Sequence, residues 1–441
     1  MSELALFGGA PAVTQDPGDL FDWPIITDED RNAVLRILEA RSMSGTDETK
    51  RFEAEYAEWQ GTRFALGHTN GTGALLAAMY GCGVGVGDQV ICPSITYWAS
   101  ALPAFTLGAT VVFADIDRNT LCVDPADIER KITDRTKAIM VVHYCGHPAD
   151  MDAIMDIARR HNVKVIEDVS HAHGGLYNGI MVGSIGDVAS MSLMSGKSLA
   201  VGEAGMLVTD NQEIYDRAVA WGHYSRFRGD IETEYLKALA GLPIGGYKNR
   251  MHQMSAAVGR VQLAHYEARR QEILKAMNHF WDLLEDTKGV RAHRVDPNGD
   301  SDMGGWYAAT GHYVPEELGG LSVSRFTEAI RAEGVRMVSP GANKPLHQHP
   351  LLRTHDIFGD GVPTRLRNGN DDVLEIEGTL PVSDEISTLI YKIPWFKHYR
   401  PEQIEQYARA FQKVSEHAEE LLADDPGNGD SVGSWGLFQR A

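Results

Sequence analysis

The sequence predicts an α/β protein: a large domain built on a mainly parallel seven-stranded sheet, followed by a smaller C-terminal α/β domain. Three observations lead there. Seven short apolar runs alternate with helical stretches between Phe64 and Asp210. Several of these runs are rich in Val and Ile with no polar alternation, the pattern of strands covered on both faces. Beyond Thr287 the elements shorten and Gly/Pro breaks multiply, which marks a second unit. Strand–helix alternation closes through right-handed crossovers into a parallel sheet.

The elements follow in order. A helix begins after Ile26, where Thr27 and Asp30 form a capping-box pattern and Val34, Leu35, Ile37 and Leu38 make an apolar stripe. A second helix runs from about 47 to 60, with Phe52, Tyr56 and Trp59 on one face, and stops at Gly61. The seven strand-like runs open at Phe64, Gln89, Thr110, Ala138, Lys164, Ala189 and Gly205. Residues 211–246 have mixed character with a loop at GLPIGG, and a long helix over about 254–284 completes a large domain of residues 1–285. The small domain, 286–423, holds a helix starting near Val323 and a last helix over about 401–422. Residues 424–441, rich in Gly, Asp and Ser, read as a flexible tail.

Composition narrows the function. With 441 residues and 43% hydrophobic content the chain can bury a large core. A net charge of -20 without Lys/Arg clusters argues against nucleic acid and anionic membranes as partners. Cys82, Cys92, Cys122 and Cys145 form no CxxC pair, so they read as reduced thiols, with no disulfide frame and no metal site. No apolar run reaches the roughly 18 residues of a membrane span. The opening segment lacks a signal-peptide pattern, and a cytoplasmic protein is expected.

The polar surprises sit at strand ends, where open α/β sheets bind ligands. After the first strand, HTNGTGALLAAM joins a Gly-rich turn to a helix start, an arrangement suited to phosphate or simply to a tight turn. The fifth strand ends in IEDVSHAHGG, placing Asp168 at a buried tip where a carboxylate requires a cationic partner or caps a neighbouring helix. The sixth ends in SMSLMSGKSLAVGEAGML. Lys197 there is flanked by small residues and a tight turn, so it is expected in a cleft with a lowered pKa, a nucleophile rather than a surface lysine.

The conjunction of the Gly-rich turn, PSITYW, IEDVSHAHG and S-x4-K before G-E-x-G, in that order, resembles the DegT–DnrJ–StrS family of sugar aminotransferases. The resemblance runs from LALFGGAPAV to the last helix and implies the fold-type I architecture of enzymes that use pyridoxal 5'-phosphate. Carried onto this chain, it makes Lys197 the Schiff-base lysine and Asp168 the acid facing the pyridine nitrogen. Tyr97 stacks on the ring, with Trp98 as a rival, and His171 lies near the ring's 3-oxygen. Gly71, Thr72 and Ser192 form the phosphate cup. The segment GGYKNRMHQ matches one that reaches the neighbouring subunit's phosphate, which implies a homodimer with shared sites; Lys248 would be the contact and Arg250 a substrate residue. His347 falls where the family has a substrate-end histidine, although loop histidines are commonly exposed. His173 reads as structural, and Arg226 and Arg228 as a solvated loop with anion binding as the rival reading.

Four positions depart from the family pattern: Lys248 for Asn, Asn70 for Ser, Ala204 for Gly, and Met194 for a polar or aromatic residue. Ala204 is harmless if its φ is negative. The resemblance implies amino transfer from L-glutamate or L-glutamine to a keto-sugar or keto-cyclitol, nearest the scyllo-inosose aminotransferase and 3-amino-5-hydroxybenzoate synthase branch. Nucleotide-keto-sugar transfer and a non-catalytic cofactor-binding protein are the alternatives. A sugar 3-dehydratase of this fold would carry His in place of Lys197.

Overall fold

The computed structural model of the chain describes residues 2–227, 229, 231–356, 358–367, 378–429 and 432–433. The large sheet contains β1 (Phe64–His68), β2 (Gln89–Pro93), β3 (Thr110–Ala114), β4 (Thr136–Val142), β5 (Lys164–Asp168), β6 (Val188–Ser192) and β7 (Gly205–Thr209). Their spatial order is β1-β7-β6-β5-β4-β2-β3. The run from β6 through β5, β4 and β2 to β3 is parallel throughout. β7 alone is antiparallel, to β6 on one side and β1 on the other. The cause is local: the link between Ser192 and Gly205 contains no helix, so it turns the chain back instead of crossing over.

Local signals explain the first helices. In α1 (Asp28–Glu39) both halves of the Thr27/Asp30 capping box form. α2 (Asp47–Gln60) stops where Gly61 adopts φ 75°, a left-handed conformation open to glycine. α3 (Gly71–Gly81) starts directly beyond β1 and is capped by Asn70, whose side-chain oxygen accepts the Gly73 N–H at 2.8 Å. α4 (Gln212–Gly222) follows β7 and packs beside α3.

Two cores meet along α5 (Gln253–Leu283). At its start Gly259 lets Phe52 of α2 approach so closely that a Cβ would lie 2.5 Å from the ring. At its end Phe280 and Trp281 enter the small-domain core with Phe326 of α6 (Val323–Ala332), Tyr391, and Phe411 of α7 (Pro401–Glu416). The small sheet is antiparallel, in the order β8 (Val290–Ala292), β9 (Thr310–Tyr313), β11 (Ile390–Lys392), β10 (Ser339–Pro340). The last helix breaks at His417, and a short turn of helix follows over Glu419–Leu422.

Three expectations change. The first residues group with the small domain: Leu4 and Leu20 pack in its core, and the buried Glu333 carboxylate accepts the N–H groups of Ala5 and Ala12 at 2.8 and 2.9 Å. The tail is anchored at its start, because Asp425 accepts the Ser322 N–H at 2.7 Å and Val432 is buried; residues 434–441 lie outside the described residues. Arg226 is no solvated loop residue. It is buried and donates to both oxygens of Glu53 at 2.8 and 2.9 Å. Breaking a buried pair costs about 3–5 kcal/mol because the other charge loses its compensation, so Arg226 serves the fold. Arg228 lies outside the described residues. Among the described residues no helix is long and apolar enough to cross a membrane.

Candidate active site

The carboxyl ends of β1, β5 and β6 converge on one cavity of about 490 Å³, closed on its far side by β9 and β11 of the small domain. Gly71, Thr72, Tyr97, Asp168, His171, Ser192 and Lys197 all line it. The sequence therefore led to seven residues that the fold brings together from four separate segments.

Lys197 gets there through the β6–β7 turn. Leu193 N–H donates to Ala204 at 2.9 Å, Ser195 N–H to Gly202 at 2.8 Å, and Lys197 N–H to Met194 at 2.8 Å. The Trp23 indole donates to the Lys197 carbonyl at 2.9 Å. Held this way, the side chain points inward and its ammonium lies 3.8 Å from the centre of the Tyr307 ring. Burial pushes its pKa down to about 8, against a smaller opposing pull from Asp168. Gly202 takes the positive φ of this turn, whereas Ala204 does not. The substitution of Ala for Gly at 204 therefore carries no backbone strain.

Asp168 closes β5 with both oxygens occupied. The Ser100 hydroxyl donates to Oδ2 at 2.8 Å, and the Ser170 N–H to Oδ1 at 3.1 Å. Thr96 lies 3.0 Å from Ser100, which extends the chain of hydroxyls. His171 accepts the Cys145 N–H on Nδ1 at 3.3 Å and packs between Tyr144 and Tyr307. Burial, reinforced by the charge of Lys197, holds its imidazole neutral. His173 is buried behind the cavity against Ser198, as a structural residue would be, and burial pushes its pKa down to about 3.

At the other end, α3 starts against the wall. A Cβ on Gly71 would lie 2.8 Å from the Ser192 Cβ and 2.9 Å from its Cα, so only glycine permits this approach. Asn70, which replaces a serine, caps through Gly73; the N–H groups of Gly71 and Thr72, the first of the helix, have no partner within it.

Three expected residues lie elsewhere. His347 is buried behind the end of β2, with Nδ1 2.7 Å from the Ser94 hydroxyl and Nε2 3.1 Å from Asp384, and it does not line the cavity. Nδ1 is held by Ser94, and the ring stays outside this protomer's cavity. Lys248 is exposed, and Arg250 donates to Ser225 at 3.3 Å; neither lines this protomer's cavity. Conversely, Tyr307, Asn343, Thr310 and Lys392 line it without having been singled out. Tyr307 sits between Trp306 and Ala308, at φ 55° and 59°, a strained backbone at the cavity wall. The Gly304-Gly305 pair was the only sequence signal: a Cβ on Gly305 would lie 2.1 Å from the Ser198 Cβ.

A buried lysine, a carboxylate at a strand tip, an aromatic beside them and a helix start opposite define the site of a fold-type I pyridoxal-phosphate enzyme. The chain belongs to the DegT/DnrJ/EryC1/StrS aminotransferase family, whose profile matches residues 24–412. It is 31% identical to the L-glutamine:scyllo-inosose aminotransferase of Streptomyces griseus, over 84% of this chain and 87% of that protein. It is 35% identical to the 3-amino-5-hydroxybenzoate synthase of Amycolatopsis mediterranei, over 70% and 78% respectively. Its fold matches the crystal structure of an aminotransferase from Psychrobacter cryohalolentis with a TM-score of 0.78 at 27% identity, covering 91% of this chain and all (100%) of that one. The protein is a pyridoxal-phosphate-dependent aminotransferase.

The cavity fits that cofactor on its own terms. Lys197 offers an amine of lowered basicity for an aldehyde, Asp168 an anion for a ring nitrogen, and the glycine-lined start of α3 with Ser192 a place for phosphate. Because burial lowers the Lys197 pKa, its reactive free amine grows as pH rises through about 8 instead of through the ordinary 10.5. The rate at which apoprotein captures pyridoxal phosphate, followed by absorbance, should therefore rise with a midpoint near 8. A midpoint near that of a solvated lysine would contradict the burial argument.

Proposed function

We propose that Lys197 and Asp168 are the catalytic pair, and that the enzyme moves the amino group of L-glutamine or L-glutamate to an uncharged keto-cyclitol or keto-sugar. The observation that carries the reading is the presence of both groups in one largely buried cavity. The bound cofactor supplies an electron sink for the carbanion formed at the donor's α-carbon. Asp168, held by Ser100 and Ser170, would supply the carboxylate for the cofactor's ring nitrogen. Lys197 takes the α-proton on its amine and returns it one step later, as base and then acid. Tyr97 would pack on the cofactor ring, and His171, held neutral by burial, would offer it a hydrogen bond. Gly71, Thr72 and Ser192 would hold its phosphate.

A cyclitol acceptor is supported by the likeness to the scyllo-inosose enzyme. The working unit is a homodimer in which Lys248 reaches the partner's phosphate. An exposed Lys248 and the exposed Tyr224, Leu239, Leu242 and Tyr247 nearby support a contact there. Light scattering should return twice the 48.5 kDa chain mass; the single-chain mass would remove the shared-site arrangement. The four cysteines are free and buried, in keeping with a cytoplasmic enzyme.

The visible spectrum of the holoenzyme should change on addition of L-glutamine or L-glutamate alone, and scyllo-inosose should restore it. Asp168→Asn should slow the donor step by roughly 10²–10³, the usual cost of removing one electrostatic partner of the transition state. A spectrum indifferent to both amino acids would overturn the reading.

A further inference from the structure

The cavity contains one cation that the chemistry above leaves unused. Its charged side chains are Lys197, Asp168, Glu203 and Lys392. Lys197 and Asp168 are assigned to the cofactor. Lys392 ends β11 directly opposite Thr310 of β9, whose side chain lines the same cavity and lies 3.4 Å from Cys145. Among the described residues Lys392 forms no ion pair and its ammonium makes no hydrogen bond. Its charge nevertheless acts inside the cavity, contributing with burial and Lys197 to the neutrality of His171.

An amino-acid donor brings an α-carboxylate into this partly dehydrated space. A carboxylate stripped of water needs a cation or several donors to offset the lost hydration. A lysine meets that need as a point charge, without the fixed fork of an arginine. We propose that Lys392 receives the carboxylate of the amino donor. The inference rests on the aminotransferase reading. It gives the small domain a direct contact with the substrate, since β11 belongs to its sheet. An uncharged keto-cyclitol would then occupy the same cavity in the second half-reaction without using this contact. A carboxylate carried by the acceptor would offer Lys392 the same chemistry, and the experiment separates the two sources.

The test uses holoenzyme with Lys392→Gln and Lys392→Arg. The donor step is followed by visible absorbance against L-glutamine concentration, and the acceptor step against scyllo-inosose. A hydrogen bond to a charged group converts to roughly a ten- to hundredfold change in half-saturation. Lys392→Gln should raise the L-glutamine half-saturation by that factor and leave both the resting spectrum and the scyllo-inosose half-saturation unchanged. Lys392→Arg should recover most of the loss. Equal donor response in wild type and Lys392→Gln, or a loss confined to the acceptor step, would overturn this inference and leave the aminotransferase reading intact. Wild-type holoenzyme that answers neither L-glutamine nor L-glutamate would overturn the reading and the inference together.

Discussion

The site depends on the cost of keeping the Lys197 ammonium away from water. The side chain is 8% exposed and faces a ring on one side and the cavity on the other. That cost lowers its basicity and so makes the amine available near neutral pH. It also requires a fold that can hold the residue inward, and the sheet topology does this. The short β6–β7 link reverses the chain and anchors both ends of the turn to backbone partners. The one antiparallel strand of the large sheet is thus the structural counterpart of this buried lysine.

The same economy runs through Asp168. A carboxylate at the end of an interior strand needs hydrogen bonds in the folded protein, and Ser100 and Ser170 provide them from two different loops. Next to it, Glu167 points to the opposite face of the sheet, where it accepts from the N–H groups of Gly183 and Gly186 and meets His143 at 2.9 Å. Adjacent acids therefore take different tasks because β-strand side chains alternate. Glu167 pins the loop leading to β6, and Asp168 faces the cavity.

Much of this was legible in the sequence, for reasons that can be named. Short apolar runs between turns marked all seven strands, and Gly61 and the Thr27/Asp30 pair marked helix ends to the residue. Lys197 and Asp168 were legible because a charged residue at the end of an apolar strand is expensive without a purpose. Residues on the small domain were harder to find. Tyr307 and Lys392 approach the cavity through long-range packing; the Gly304-Gly305 pair is the only local mark of Tyr307, and nothing in the sequence around Lys392 distinguishes it from a surface residue. His347 differs in the opposite sense: its place in the chain resembles a substrate contact, but in this protomer the ring packs beside Ser94 and Asp384, outside the cavity. Arg226 failed likewise, because its partner Glu53 lies far away in sequence.

The central claim is that the Lys197 amine moves the α-proton of the donor. Proton NMR of L-glutamine in heavy water, with holoenzyme and no ketone acceptor, tests it directly. The account predicts that wild type replaces the α-proton with deuterium and that Lys197→Ala, folded and supplied with the same cofactor, does not. Exchange that persists at the wild-type rate in Lys197→Ala would contradict it and assign the proton transfer to another group in the cavity.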